Sequence, residues 1–197
     1  MHTLFIIPAR GGSKGIPGKN VRLFAGKPLL SYSIDLARQF AADADICLST
    51  DDDAIAGVAE GMGLHLPFRR PPELSTDTAS SEEVIRHALD FYTSRGNSYD
   101  NIVLLQPTSP LRQAFHVKEA LALYSPDIDL VLSVKLAEAN PYFDYLRKPK
   151  MVFWKNQKQA HSHDGRIVRL SGRRMEPVMS LTCKTSGKPL NRQTGAS

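Results

Sequence analysis

Residues 4–20, LFIIPARGGSKGIPGKN, decide the fold: an apolar run breaks into a loop carrying Arg10, Lys14 and Lys19 among glycines and prolines. Leu4, Phe5, Ile6 and Ile7 are consecutive, apolar and β-prone, the pattern of a central parallel strand covered on both faces. Gly11, Gly12, Gly15 and Gly18 let backbone N–H groups approach an anion closely. Pro8 and Pro17 limit how far the loop can wander. Three cations on so short a loop repel one another unless an anion sits between them, which points to a triphosphate. The alternative is a solvated basic turn between strand and helix. Neither named phosphate motif fits. A P-loop, G-x-x-x-x-G-K-[ST], ending on Gly18-Lys19 would need Gly at Ser13 and a hydroxyl residue at Asn20. The spacing of Gly11, Gly12 and Gly15 is not G-x-G-x-x-G.

Outward from this loop, strand-like and helix-like patterns alternate over the first 136 residues. Pro28 suits a first helical turn, and Leu30, Ile34 and Ala37 follow at helical spacing. Residues 45–50 (DICLST) read as a short strand. Asp52 or Asp53 can cap a helix through Ile55, Val58 and Ala59 that ends near Gly61 and Gly63. Residues 64–68 read as a weak strand. Ser80 with Glu83 forms a capping box ahead of Val84, Ile85, Ala88, Leu89 and Tyr92. Residues 101–106 (NIVLLQ) read as a second buried strand, a helix spans about 114–123, and a further strand spans 130–134. Strand and helix in alternation imply a parallel sheet with helices on both faces. Right-handed crossovers then bring the loops 8–20, 49–53 and 107–112 to one ligand-binding edge.

Composition bounds the remainder. The 197 residues are 42% hydrophobic and 8% aromatic, ordinary for a globular protein. No window has the apolar run of a membrane span, and the start lacks a signal-peptide pattern. Cys47 and Cys183 suggest neither a disulfide framework nor a zinc site, so the chain is expected to be cytoplasmic with reduced thiols. The net charge of +5 conceals an asymmetry: 13 Lys/Arg against 18 Asp/Glu through Leu146, then 12 against only Asp164 and Glu176. The expected division is a domain over 1–146 and a basic, atypical, partly disordered segment over 147–197. Within it, residues 151–154 could form one short strand, and 162–197 are expected to be irregular. Basicity without a spaced aromatic pattern argues against a nucleic-acid partner.

Four motifs in order, IIPARGGSKGIPGKN, LSTDD at 48–52, RPPELSTDTASS at 70–81 and LLQPTSPLR at 104–112, closely resemble the bacterial N-acylneuraminate cytidylyltransferases. The resemblance covers about residues 4–143. It implies an α/β, three-layer Rossmann-like nucleotidyltransferase fold with a mainly parallel sheet. The implied reaction joins CTP and a sugar acid, N-acylneuraminate or a pseudaminic, legionaminic or 3-deoxy-octulosonic acid, with Mg²⁺ assistance and release of pyrophosphate. It also implies a homodimer.

The resemblance implies site residues as well. Arg10, Lys14 and Lys19 would be catalytic cations on the triphosphate, with Pro8, Ala9, Gly11, Gly12, Ser13 and Asn20 binding the nucleotide beside them. Arg70, Ala79, Ser80 and Ser81 match the segment that reads the base. A pocket for cytosine must pair its 4-amine and unprotonated N3, and the wrong base is rejected by leaving buried polar groups unpaired. For Ser80, helix capping is an equal explanation. Gln106, with Thr108 and Ser109, would contact the sugar acid. Arg112 could meet the sugar carboxylate but reads rather as a solvated residue ahead of a helix. Asp51 is a candidate metal or network carboxylate, with capping by the acidic run 51–53 as the alternative. The family's N-G-A-I-Y-like strand and its Mg²⁺-binding Asp-x-Asp pair have no counterpart in 147–197. A catalytically impaired CTP-binding module is therefore the second reading.

Overall fold

The computed structural model describes residues 1–12, 15–125, 128–134, 166–170 and 180–184, the last two stretches as backbone strands. In chain order the elements are β1 (Thr3–Pro8), β2 (Leu23–Phe24), β3 (Lys27–Pro28), α1 (Leu29–Ala37), β4 (Ile46–Ser49), α2 (Asp53–Gly61), α3 (Ser81–Thr93), β5 (Asn101–Leu104), α4 (Ala114–Leu123), β6 (Leu130–Val134), β7 (Arg166–Leu170) and β8 (Ser180–Lys184). Six strands form one sheet in the order β4-β1-β5-β8-β6-β7. β1 pairs in parallel with β4 and β5, whereas β8 runs antiparallel to β5 and β6, and β7 antiparallel to β6.

The apolar run of β1 sits at the centre of the described core because both its faces are covered. Phe5 and Ile7 pack with Leu30 and Ile34 of α1, Ile55 of α2 and Val117 of α4. Leu4 and Ile6, pointing the other way, pack with Ala88 and Tyr92 of α3. All four β1 residues are at most 1% exposed. Each such side chain contributes about 1.5–3 kcal/mol by leaving water. Three layers result, with β1, β4, β5 and β6 parallel. No described helix is long and apolar enough to cross a membrane.

Two sequence expectations are corrected here. Residues 64–68 form no strand: Gly63 turns the chain at φ +76°, and the Leu64 N–H donates back to the Ala59 carbonyl of α2 (2.9 Å) with Leu64 buried in the core. Residues 162–197 are not irregular throughout, because 166–170 and 180–184 are strands of the main sheet. Both are five-residue segments whose hydrogen bonds come from strands distant in sequence, so local composition under-reports them. The expected strand at 151–154 lies outside the described residues. A small hairpin, β2 with β3, was not legible in the helix pattern around Pro28, which instead forms the N-cap of α1.

Candidate active site

Four segments meet at the C-terminal edge of the parallel strands. Pro8 ends β1, and the Ala9 N–H donates to the Ser49 carbonyl (2.9 Å), which fixes where the glycine loop departs. The Gly11 N–H donates to Asp51 Oδ1 (3.1 Å). A Cβ on Gly11 would run into the side chain of Asp52, so glycine is required for this close approach. Asp52, not Asp51, caps α2, accepting from the Ile55 N–H (2.9 Å). Further along, Gly18 adopts φ +62° in a turn closed by the Lys19 N–H on the Ile16 carbonyl and the Val21 N–H on that of Gly18. Asn20, 5% exposed, donates its amide to the Arg10 carbonyl (3.2 Å) and so ties the two ends of the loop together.

Arg70 enters from the segment ahead of α3. Its backbone N–H donates to the Thr50 carbonyl (2.8 Å), its Nε to Ser49 Oγ (3.0 Å) and its Nη2 to the Ser49 carbonyl (2.6 Å). Burial pushes the guanidinium pKa down, partly opposed by the charge of Asp51; an arginine stays cationic under such a shift. Ser80 caps α3: its Oγ accepts from the Glu83 N–H (3.2 Å), while its own N–H donates to Glu83 Oε2 (2.7 Å). These two bonds complete the capping box, and the Ser80 N–H, followed by the Ser80 hydroxyl donating to Glu83 Oε2 (2.9 Å), holds the Glu83 carboxyl below its ordinary pKa.

A cavity of about 590 Å³ opens among these segments, within the range of small-molecule sites. The phosphate loop contributes Pro8, Arg10, Lys19 and Asn20; the α3 approach contributes Arg70, Ala79, Ser80 and Ser81; the end of β5 contributes Gln106 and Thr108. Of the other expected site residues, Ala9 is buried in the core, and Gly11, Gly12, Asp51 and Ser109 are not part of the cavity wall. Ser13 and Lys14 lie outside the described residues. Sequence reading missed Leu74, Thr76, Asp77 and Val84, which also line the cavity. Asp77 Oδ1 accepts from Arg10 Nη2 at 2.6 Å. An acid seven residues after Arg70 in the same motif was the available signal.

Arg112 is not the solvated residue expected. It is half-buried outside the cavity wall, burial pushes its pKa down, and its Nη1 has no acceptor among the described residues. The preceding Ser109 turn, closed by the Arg112 N–H on the Ser109 carbonyl (3.4 Å), folds the residue in. The described residues hold no ready-made cage of acids for a divalent cation. No three His, Cys, Asp or Glu converge among them, and the acid in the cavity wall, Asp77, is paired with Arg10.

A family model described as cytidylyltransferase matches residues 4–174. The N-acylneuraminate cytidylyltransferase of Escherichia coli O18:K1:H7 is 45% identical over 119 residues, 60% of this chain and 27% of that protein. The CMP-N,N'-diacetyllegionaminic acid synthase of Legionella pneumophila is 38% identical over 141 residues, 72% of this chain and 61% of that protein. The chain thus spans between about a quarter and three-fifths of the length of these curated relatives. A CMP:2-keto-3-deoxy-manno-octonic acid synthetase solved with CTP has the same fold, at TM-score 0.57 and 16% identity, covering 93% of this chain and 74% of that one.

Proposed function

Because the chain belongs to the cytidylyltransferase family, we propose that it activates a nonulosonic acid, joining CTP and N-acylneuraminate into CMP-N-acylneuraminate and pyrophosphate. The 2-hydroxyl of the sugar acid forms a bond to the α-phosphorus of CTP. The bond from that phosphorus to the bridging oxygen breaks, pyrophosphate leaves with the electron pair, and the hydroxyl proton passes to solvent. Little covalent chemistry falls to the protein in phosphoryl transfer. Its task is to hold fixed charge where negative charge develops and to align the two oxygens.

Arg10 and Lys19 fill that role at one end of the cavity, with Lys14 assigned to the same set from the sequence. Arg70, Ala79, Ser80 and Ser81 are assigned to the base, and Gln106 and Thr108 in the wall, with Ser109 next to them in sequence, to the sugar acid. The observation that carries this reading is the single cavity into which Arg10, Lys19 and Arg70 converge beside Gln106 and Thr108. We assign the catalytic function to residues 1–146 and treat 147–197 as a basic segment that adds strands to the sheet. A homodimer and a cytoplasmic setting belong to the same proposal.

Pyrophosphate release with CTP, Mg²⁺ and N-acetylneuraminate tests it, with legionaminic and pseudaminic acids as parallel substrates. Turnover with one of the latter alone would reassign the sugar. The second reading, a CTP-binding module without turnover, rests on the sequence of 147–197, whose acids, Asp164 and Glu176, form no Asp-x-Asp pair. It predicts that CTP raises the melting temperature more than ATP or UTP while no pyrophosphate appears.

A further inference from the structure

We propose that Asp77 is a resident anion of the phosphate site: its carboxylate occupies the Arg10 guanidinium, and a polyphosphate binds by displacing it. The inference rests on the reading of the cavity as a nucleotide site. Its own basis is the Arg10 Nη2 to Asp77 Oδ1 bond of 2.6 Å. A guanidinium presents the same N–H vectors to a carboxylate as to a phosphate, so the two anions compete for one donor set.

Both partners line the cavity, and their side chains are 32% and 39% exposed, so a dissolved anion can reach the pair. Asp77 is carried on neither helix nor strand. It sits between the turn Pro72–Ser75 and α3, in a stretch shaped by Thr76, whose Oγ1 accepts from the Ala79 N–H (3.2 Å) and lies 3.1 Å from Thr78 Oγ1. Moving the carboxylate therefore displaces no helix or strand backbone.

A charge of the wrong sign in an anion site has a use. It holds the loop cation in a defined place before ligand arrives, and it sets a threshold that a triphosphate, with several charges, overcomes more readily than a singly charged anion. The same stretch leads directly into Ala79 and Ser80, so the exchange at Arg10 is felt at the base end of the cavity.

Calorimetric titration of the full chain with inorganic tripolyphosphate, CTP and cytidine tests this. Asp77→Asn should tighten tripolyphosphate and CTP by a similar factor, about threefold to fivefold, the scale of a partly exposed ion pair. Asp77→Glu, which keeps the charge, should stay near the parent, and cytidine should be unaffected by either change. Weaker or unchanged CTP binding by Asp77→Asn overturns the proposal, since Asp77 would then serve the bound nucleotide or nothing. Tightening by Asp77→Glu as well, or a gain for cytidine, overturns it too, because loop loosening rather than charge would be the cause. A parent chain that binds neither CTP nor tripolyphosphate removes the nucleotide reading itself, whereas binding without a gain in Asp77→Asn removes only the competition.

Discussion

His2 shows how one side chain can make the fold sensitive to pH. Its Nδ1 lies 2.7 Å from the Ser98 carbonyl and its Nε2 lies 3.0 Å from Asp45 Oδ1, so both ring nitrogens face acceptors. Only the imidazolium donates at both. The Ser98 bond, more than the nearby Asp45 and Asp100 charges, lifts the pKa above its ordinary 6.5, against a smaller cost of burial. A pKa raised in the folded state stabilises at low pH. The contribution is complete below about 6.5 and disappears as pH rises through the higher folded value. The melting temperature should therefore decline over that window, and His2→Gln should flatten this part of the profile. Gly11 is the second residue of consequence. Gly11→Ala forces its new methyl into Asp52, the cap of α2, and should cost about 1–3 kcal/mol in urea unfolding. CTP binding should weaken with it, because the loop cannot keep its seat on β4.

Elements divide cleanly between those their own residues dictate and those that neighbours impose. The β1 run, the capping box at Ser80 and Glu83, and helix α4 over 114–123 were legible because each carries its signal within a few residues. So were Arg10, Lys19 and Gln106 as cavity residues, since their motifs follow strands, whereas Arg70 came from the family resemblance alone. Asp77 was not read, because its place seven residues after Arg70 in one motif says nothing of Arg10, which only the fold brings beside it. Nor was the fold-in of Arg112. The α3 cap gives a test that separates two roles of one hydroxyl: Ser80→Ala should lose about 1 kcal/mol of stability. If the cap is the whole of its work, the CTP dissociation constant should remain unchanged, and any large weakening would assign the hydroxyl to the base. The β2–β3 hairpin offers the opposite sign. Ala25 is held at φ +46° beside Gly26 at φ +89°, backbone that suits Asn-Gly. Ala25→Asn should raise stability by about 0.5–1 kcal/mol without touching the cavity, read as a higher urea midpoint at unchanged slope.

The whole molecule depends on segments the sequence presented as a featureless basic stretch. β8 lies between β5 and β6, pairing Ile102 with Cys183 on one side and Leu130 with Cys183 on the other. Its backbone joins the half of the sheet that carries the phosphate loop to the half that carries β6 and β7. A chain cut after Val134 should lose its cooperative unfolding transition and aggregate, since β5 and β6 would each expose an unpaired edge. A single sharp melting transition in that truncation, with CTP binding intact, would show that residues 1–134 fold unaided. The placement of β8 also bears on biosynthesis. A ribosome releases this chain from its amino end, and the strand that fills the middle of the sheet emerges only after both strands it joins. Until then the nascent chain carries two open strand edges, a state that chaperones are suited to shield.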